Sequence, residues 1–150
     1  MEERVVRLES YYTTEDAVAL QCRTIAGGLV EVTVQPWSDS VVRIRISRHG
    51  AGFEPGIELC QSPQRLLPFV DEGERHLRIT CGKLTLTIQK EPFGVQLTGP
   101  DGARLLCSQH NDLDVRELPK VYPLLLQHED GVSRIVQAFE IADDEHFYGF

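Results

Sequence analysis

The stretch LRITCGKLTLTIQKEPFGVQL, residues 77–97, decides the fold class. It contains three runs in which every second residue is apolar. Side chains of a β-strand point alternately to its two faces, so each run predicts a strand with one buried face. Gly82-Lys83 separates the first two runs, and glycine adopts positive φ at little cost, which favours a tight hairpin there. The stretch therefore predicts successive antiparallel strands.

The same alternation continues toward the N-terminus. Its apolar positions include Val30, Val32 and Val34 in one run and the neighbouring run 42–46 in another, and the run 18–25 precedes them. Turn signals rich in glycine stand at 26–28, 49–52 and 99–102. Strands of this length, joined by short turns and each with one polar face, are typical of an all-β, antiparallel β-sandwich or barrel.

Two segments fit the alternation less well. The first dozen residues are compatible with either a short strand or a loose arm. Residues 118–127 are apolar, but Pro119 and Pro123 interrupt them, so we expect a loop or an irregular crossover at one edge of the core. Neither segment resembles a linker, and we expect residues 1–150 to form a single domain.

Composition excludes several classes of function. The net charge is -8, and the lysines and arginines are scattered along the predicted strands, which disfavours nucleic acid and an anionic membrane as partners. The charged start Met-Glu-Glu-Arg is followed by no apolar run, so we expect neither a signal peptide nor a transmembrane segment. The four cysteines form no C-x-x-C pair, which disfavours zinc and favours free buried thiols over disulfides. With no signal peptide expected, a cytoplasmic location is predicted.

Three segments carry a resemblance to a known family. They are DSVVRIRI at 39–46, KEPFGVQL at 90–97 followed by DGARLL at 101–106, and DEHFYGF at 144–150. In this order they resemble the N-terminal domain of glycoside hydrolase family 31, the α-glucosidase and α-xylosidase family. The last segment is the most specific, because a similar acidic and aromatic Tyr-Gly stretch closes that domain.

The resemblance implies a fold for this chain and places catalysis in a separate domain. The family's N-terminal domain is an antiparallel β-sandwich of the galactose mutarotase-like supersandwich type, and the catalytic (β/α)₈ barrel follows it. Such a barrel needs about 250 residues by itself, so we expect it downstream of this chain. The family's retaining chemistry uses two carboxylates of that barrel, with the nucleophile in a Trp-x-Asp-Met-Asn-Glu type motif. Here Ser38 follows the single tryptophan, Trp37, and Met1 is the single methionine, so no catalytic residue carries over.

Four aromatic residues are the candidate site residues. Trp37 follows Pro36 at a strand-to-turn junction, and Phe147, Tyr148 and Phe150 cluster in the last segment. Aromatic rings stack on sugar faces, but they also fill seams between domains. We therefore expect these four residues to form either a carbohydrate-binding surface or the interface with the barrel. We favour the interface for Phe147, Tyr148 and Phe150, and for Trp37 we favour a cover over an open end of the core.

The remaining polar groups suggest no reaction centre. The acidic residues 140 and 143–145 match no calcium loop and are interpreted as a solvated turn. A mutarotase would need histidines and a carboxylate that converge on the sugar, and the five histidines show no such spacing. Glycine-rich phosphate loops and nucleophile elbows are missing from the sequence, so we expect no cofactor, no metal and no catalytic residue.

The sequence therefore predicts a non-catalytic domain of an α-glucosidase-like hydrolase that supports the barrel and walls its substrate cleft. Its expected partners are that barrel and the carbohydrate substrate of the full-length enzyme. Three alternatives stay open: a free-standing carbohydrate-binding module, a mutarotase-like enzyme and a homo-oligomerisation domain.

Overall fold

The computed structural model describes residues 2–48, 64, 66–110 and 120–141. In these residues the chain forms strands and turns. The strands are β1 Glu2–Thr13, β2 Val18–Thr24, β3 Leu29–Ser38, β4 Val41–Arg48, β5 Phe69–Glu72, β6 His76–Cys81, β7 Leu84–Gln89, β8 Gly94–Thr98, β9 Arg104–Cys107, β10 Leu124–Glu129 and β11 Val132–Gln137. A six-stranded sheet has the order β11-β10-β1-β2-β3-β4, and a five-stranded sheet has the order β5-β6-β7-β8-β9.

The two sheets share one hydrophobic core. Alternate residues of β2 and β3 point inward from the six-stranded sheet, and those of β6 and β7 point inward from the five-stranded sheet. Leu20, Val34, Ile79 and Ile88 are fully buried in the resulting cluster. The predicted all-β, antiparallel β-sandwich is confirmed, since the period-two pattern places each apolar set on the face that meets the other sheet.

The predicted turns in the five-stranded sheet are present. Gly82 has φ of 61° and joins β6 to β7 in a two-residue loop between the paired Cys81 and Leu84. Gly102, with φ of 78°, closes the turn between β8 and β9, where the Gly99 amide donates to the carbonyl of Ala103 at 2.9 Å. Both glycines occupy a backbone region that other residues adopt only under strain.

The structure resolves one open assignment and corrects another. Residues 2–13 are a strand, β1, which pairs with both β2 and β10 inside the six-stranded sheet. The expectation of a loop across 118–127 was wrong for its second half, because Leu124 and Leu126 are buried in β10. Pro123 lies immediately before that strand, where it removes no ladder hydrogen bond. Residues 118 and 119 lie outside the described residues.

The cysteines behave as small hydrophobic residues. Cys22 and Cys81 are fully buried free thiols on the inner faces of β2 and β6, and Cys107 is a half-buried free thiol. Burial raises the pKa of the Cys22 thiol to about 12 and that of Cys81 to about 11, so both stay protonated and unreactive at neutral pH. Cys60 lies outside the described residues.

No helix in the described ranges is long and apolar enough to span a membrane.

Candidate functional site

Trp37 stands at one end of the sandwich, where the predicted strand-to-turn junction is found. It is the penultimate residue of β3 and is half-buried, and the ladder with β4 shifts register between Pro36 and Ser38. The guanidinium carbon of Arg43, on β4, lies 4.9 Å from the centroid of the Trp37 ring. This cation–π contact covers one face of the ring, which therefore is not free to stack on a sugar.

Hairpins from the two sheets meet beside Trp37. The Lys83 amide donates to the carbonyl of Asp39 at 2.6 Å, and the Lys83 Nζ lies 2.8 Å from the Asp39 carboxylate. A side chain on Gly82 would have its Cβ only 2.5 Å from the Asp39 Cα, so the backbones pack closely. We call Trp37, Asp39, Arg43, Gly82 and Lys83 the Trp37 corner.

Electrostatics at the Trp37 corner are those of a surface ion pair. The hydrogen bond from Lys83, followed by one from Ser40, holds the pKa of Asp39 below its usual value. The same bond to Asp39 raises the pKa of Lys83. Both side chains are substantially exposed, so the pair orients the two hairpins but contributes little to stability.

Three large apolar side chains are exposed on chain segments that lead to the Trp37 corner. Val41 begins β4 and is 47% exposed, while Leu67 and Phe69 are 79% and 68% exposed. Gln64 contacts the Trp37 corner, because its backbone amide donates a hydrogen bond to the Trp37 carbonyl at 2.8 Å. Phe69 pairs with Thr80, two residues before Gly82. An exposed apolar group of this kind is typical of a surface that contacts a partner.

The opposite end of the five-stranded sheet carries a groove of about 190 Å³ that is lined by both polar and apolar residues. We call it the Gln89 groove. Its lining residues are His76, Thr87, Gln89, Pro92, Phe93, Gly94, Val95, Gln96, Cys107, Ser108, His110 and Pro123. The lining includes two histidines but no carboxylate, whereas a mutarotase-type reaction requires both.

Two further cavities adjoin Phe93. One, of about 220 Å³, is an apolar cleft between the sheets, lined by residues such as Ile44, Leu86 and Phe139. The other, also about 220 Å³, continues from the Gln89 groove past Pro92 to Arg4 and Tyr122. These three spaces are formed by strands far apart in sequence.

The other sequence-predicted residues are placed as follows. Phe147, Tyr148 and Phe150 lie outside the described residues, as do residues 143–145 of the acidic turn, His49 and His146. Glu140 forms an ion pair with Arg104 at 3.2 Å. His76 is the first residue of β6. Within the described ranges, no three His, Cys, Asp or Glu side chains are grouped to hold a metal ion.

Sequence analysis did not identify the Gln89 groove. Its glutamine and threonine side chains occupy the polar positions of alternating strands, which is also the pattern of any solvated sheet face. Only Gly94, a residue without a side chain at a polar-face position of β8, gave a local signal of a depression.

A curated enzyme resembles this chain over nearly the whole length of the chain. No protein-family model matches the chain. Alpha-glucosidase 2 of Bacillus thermoamyloliquefaciens is 26% identical over 145 residues, which cover 95% of this chain and 16% of the relative. The chain therefore spans about one sixth of the curated relative that it matches.

Solved structures share the fold. The cycloalternan-forming enzyme from Listeria monocytogenes, solved with a pentasaccharide substrate, superposes with a TM-score of 0.59 at 19% identity, over 73% of this chain and 10% of that one. A Listeria monocytogenes protein solved with α-D-glucose, β-D-glucose, magnesium and calcium gives a TM-score of 0.60 over the same shares, also at 19% identity. Together, the matches confirm the resemblance to the N-terminal domain of a glycoside hydrolase family 31 enzyme.

Proposed function

We propose that this chain is the non-catalytic N-terminal β-sandwich domain of a larger, cytoplasmic, retaining α-glucosidase-like hydrolase of carbohydrate metabolism. Its role is to pack against the catalytic (β/α)₈ barrel and to wall the substrate cleft. The observation that carries this proposal is the match of 95% of the chain to only 16% of an α-glucosidase. A segment that aligns almost completely with a small part of an enzyme is expected to act as one domain of it.

The carboxyl groups support the absence of a catalytic role. A general acid in glycoside hydrolysis needs a carboxyl pKa raised toward neutrality. The two carboxyl groups of the described residues whose pKa clearly departs from the usual value, Asp39 and Glu72, are both shifted downward. Glu72 accepts hydrogen bonds from Lys90 at 2.7 Å and from Tyr11 at 3.1 Å, which favour its charged form. Such carboxylates stabilise surface contacts and are poor proton donors at neutral pH.

The docking face that we propose is the Trp37 corner with its exposed neighbours Val41, Leu67 and Phe69. Arg43 covers one face of Trp37, which favours an interface role over sugar stacking for this residue. An interface core enriched in aromatic and aliphatic side chains, with arginine beside it, is the usual composition of a protein contact. For Phe147, Tyr148 and Phe150 we likewise propose contact with the barrel rather than with a sugar.

The proposal makes a prediction for the full-length protein. We expect the reading frame that contains these 150 codons to encode a downstream barrel with a carboxylate nucleophile. In the purified full-length enzyme, the double variant Leu67→Ser/Phe69→Ser should lower the Tm of the barrel transition by several degrees and increase its proteolysis at the domain junction, because it weakens docking. Calorimetry and limited proteolysis measure these changes.

A matched control separates docking from general surface effects. Val132→Ser/Ile135→Ser changes two other exposed apolar residues, which lie on the edge strand β11. We expect this variant to behave as the unmodified enzyme. A reading frame without a glycoside hydrolase barrel, or equal behaviour of the two double variants, would contradict the proposed role.

A further inference from the structure

We propose that the Gln89 groove is a binding site for a neutral saccharide. The strand register arranges its polar side chains on the outer face of the five-stranded sheet. His76 pairs with Gln89, and Gln89 pairs with Gly94, in one row across β6, β7 and β8. Thr87 pairs with Gln96 in the next row of the same face.

The spacing of this array suits a sugar ring. Residues directly opposite each other on antiparallel strands have Cβ atoms about 4.5–5.5 Å apart. Successive rows on one face of a strand are separated by two residues, or roughly 7 Å. Gln89, Thr87 and Gln96 therefore present hydrogen-bonding groups over a patch of one-ring dimensions, and a ligand with several hydroxyl groups can contact them at once.

The chemistry of the lining indicates a neutral ligand. Glutamine amides both donate and accept hydrogen bonds, as threonine hydroxyls do, and these groups match the hydroxyl groups of a sugar. The lining of the groove contains no lysine, arginine, aspartate or glutamate. Arg78, which pairs with Thr87 on the same sheet face, is not part of the lining and lies 3.8 Å from the Asp71 carboxylate. A phosphate or carboxylate in the groove would therefore meet no lysine or arginine of the lining, and its desolvation would oppose binding. Pro92 adds apolar surface for the carbon–hydrogen face of a ring.

Gly94 is the residue that creates the depression. A Cβ added there would lie 3.5 Å from the Ser108 Oγ and 3.6 Å from the Gln89 Cβ, in ordinary contact with the groove walls. Ser108 is fixed in that wall, because its Oγ accepts the Val95 amide at 2.8 Å. A larger side chain at position 94 would thus fill the groove without a backbone clash.

The size of the space is compatible with a short saccharide. The Gln89 groove of about 190 Å³ continues past Pro92 into the adjoining cavity of about 220 Å³. Small-molecule sites usually have roughly 300–1,000 Å³, so a ligand larger than one ring would have to extend from the groove into that cavity. The first cavity accommodates the neutral ring, and the second offers room for a neighbouring unit beside Tyr122.

This inference does not depend on the proposed docking role. The Trp37 corner lies beyond the C-terminal end of β6, next to Gly82, whereas the groove lies at its N-terminal end, at His76. Docking can therefore fail while saccharide binding holds, and the reverse is equally possible.

The test is a titration of the ¹⁵N-labelled 150-residue chain with maltose, followed through the side-chain amide signals of Gln89 and Gln96. We expect both signals to shift saturably. Gln89→Ala and Gln96→Ala should each weaken binding by about tenfold, which corresponds to the net loss of one hydrogen bond to the ligand. Gly94→Thr should weaken binding by more than tenfold with an unchanged Tm, since a β-branched residue is accepted in a strand.

Controls distinguish the groove from general effects. Thr85→Ala lies on the same face of β7, outside the groove, and should bind maltose normally. Glucose 6-phosphate should bind no more tightly than glucose. The proposal is overturned if maltose produces no saturable shift up to its solubility limit, if Gly94→Thr binds as well as the unmodified chain, or if the phosphorylated sugar binds more tightly.

Discussion

Replacing Gly82 by alanine is expected to destabilise the isolated chain by roughly 2–5 kcal/mol. Two separate costs combine. A non-glycine residue at positive φ loses about 1–2 kcal/mol, and Gly82 has φ of 61°. In addition, the new Cβ would lie 2.5 Å from the Asp39 Cα and 2.6 Å from its carbonyl oxygen. Because these atoms belong to the backbone, one of the two hairpins must shift, which costs about 1–3 kcal/mol.

Gly102→Ala provides the matched control. Gly102 has a similar φ of 78°, but no atom lies within 4 Å of its added Cβ. Alanine there should cost only the conformational part, about 1–2 kcal/mol. Urea unfolding followed by the fluorescence of the single tryptophan, Trp37, measures both variants. Equal losses in the two would show that the close contact between the hairpins of the Trp37 corner does not exist.

The second large effect is expected for Phe93→Ala, at about 3–5 kcal/mol. Phe93 is 3% exposed and belongs to the shared core, and its amide donates to the carbonyl of Val6 at 2.9 Å. Phe93 also lines all three cavities, so the space left by truncation would add to existing voids and would be hard to fill by collapse. Since small domains have a free energy of unfolding of only about 5–15 kcal/mol, this single change removes a large part of it.

Phe69→Ala is the control for Phe93→Ala. Phe69 is 68% exposed on the edge strand β5, and its truncation in the isolated chain should change the free energy of unfolding by no more than about 0.5 kcal/mol. Urea unfolding with an unchanged m-value checks both variants. A loss for Phe93→Ala no greater than that for Phe69→Ala would mean that the two sheets do not enclose Phe93.

Local pattern was enough to predict most of the sandwich. The alternation at 77–81, 84–88 and 93–97 placed its apolar residues on the inner face, and Gly82 and Gly102 marked their turns correctly. These features depend on residues a few positions apart, where strand periodicity and backbone freedom act directly. The resemblance to the glycoside hydrolase domain rested on three such local segments in the right order.

What was not predicted depends on residues distant in sequence. The contact between Gly82 and Asp39, and the pairing of β1 with β10, require the two sheets to be assembled first. Pro123 appeared to break an apolar run, but the strand begins directly after it. The Gln89 groove combines β6, β7, β8 and the residues after β9, and its polar side chains carry no periodic signal that separates a binding face from a wetted one.

The central claim, which rests on the proposed function, is that this chain carries no reacting carboxylate pair of its own. Hydrolysis of 4-nitrophenyl α-D-glucopyranoside by the purified 150-residue chain tests it most directly. We predict release of 4-nitrophenol at the rate of buffer alone, at every protein concentration and between pH 4 and pH 8, the range in which glycosidase carboxyl pairs operate. Release that rises in proportion to the chain and is lost when the chain is unfolded would contradict the account.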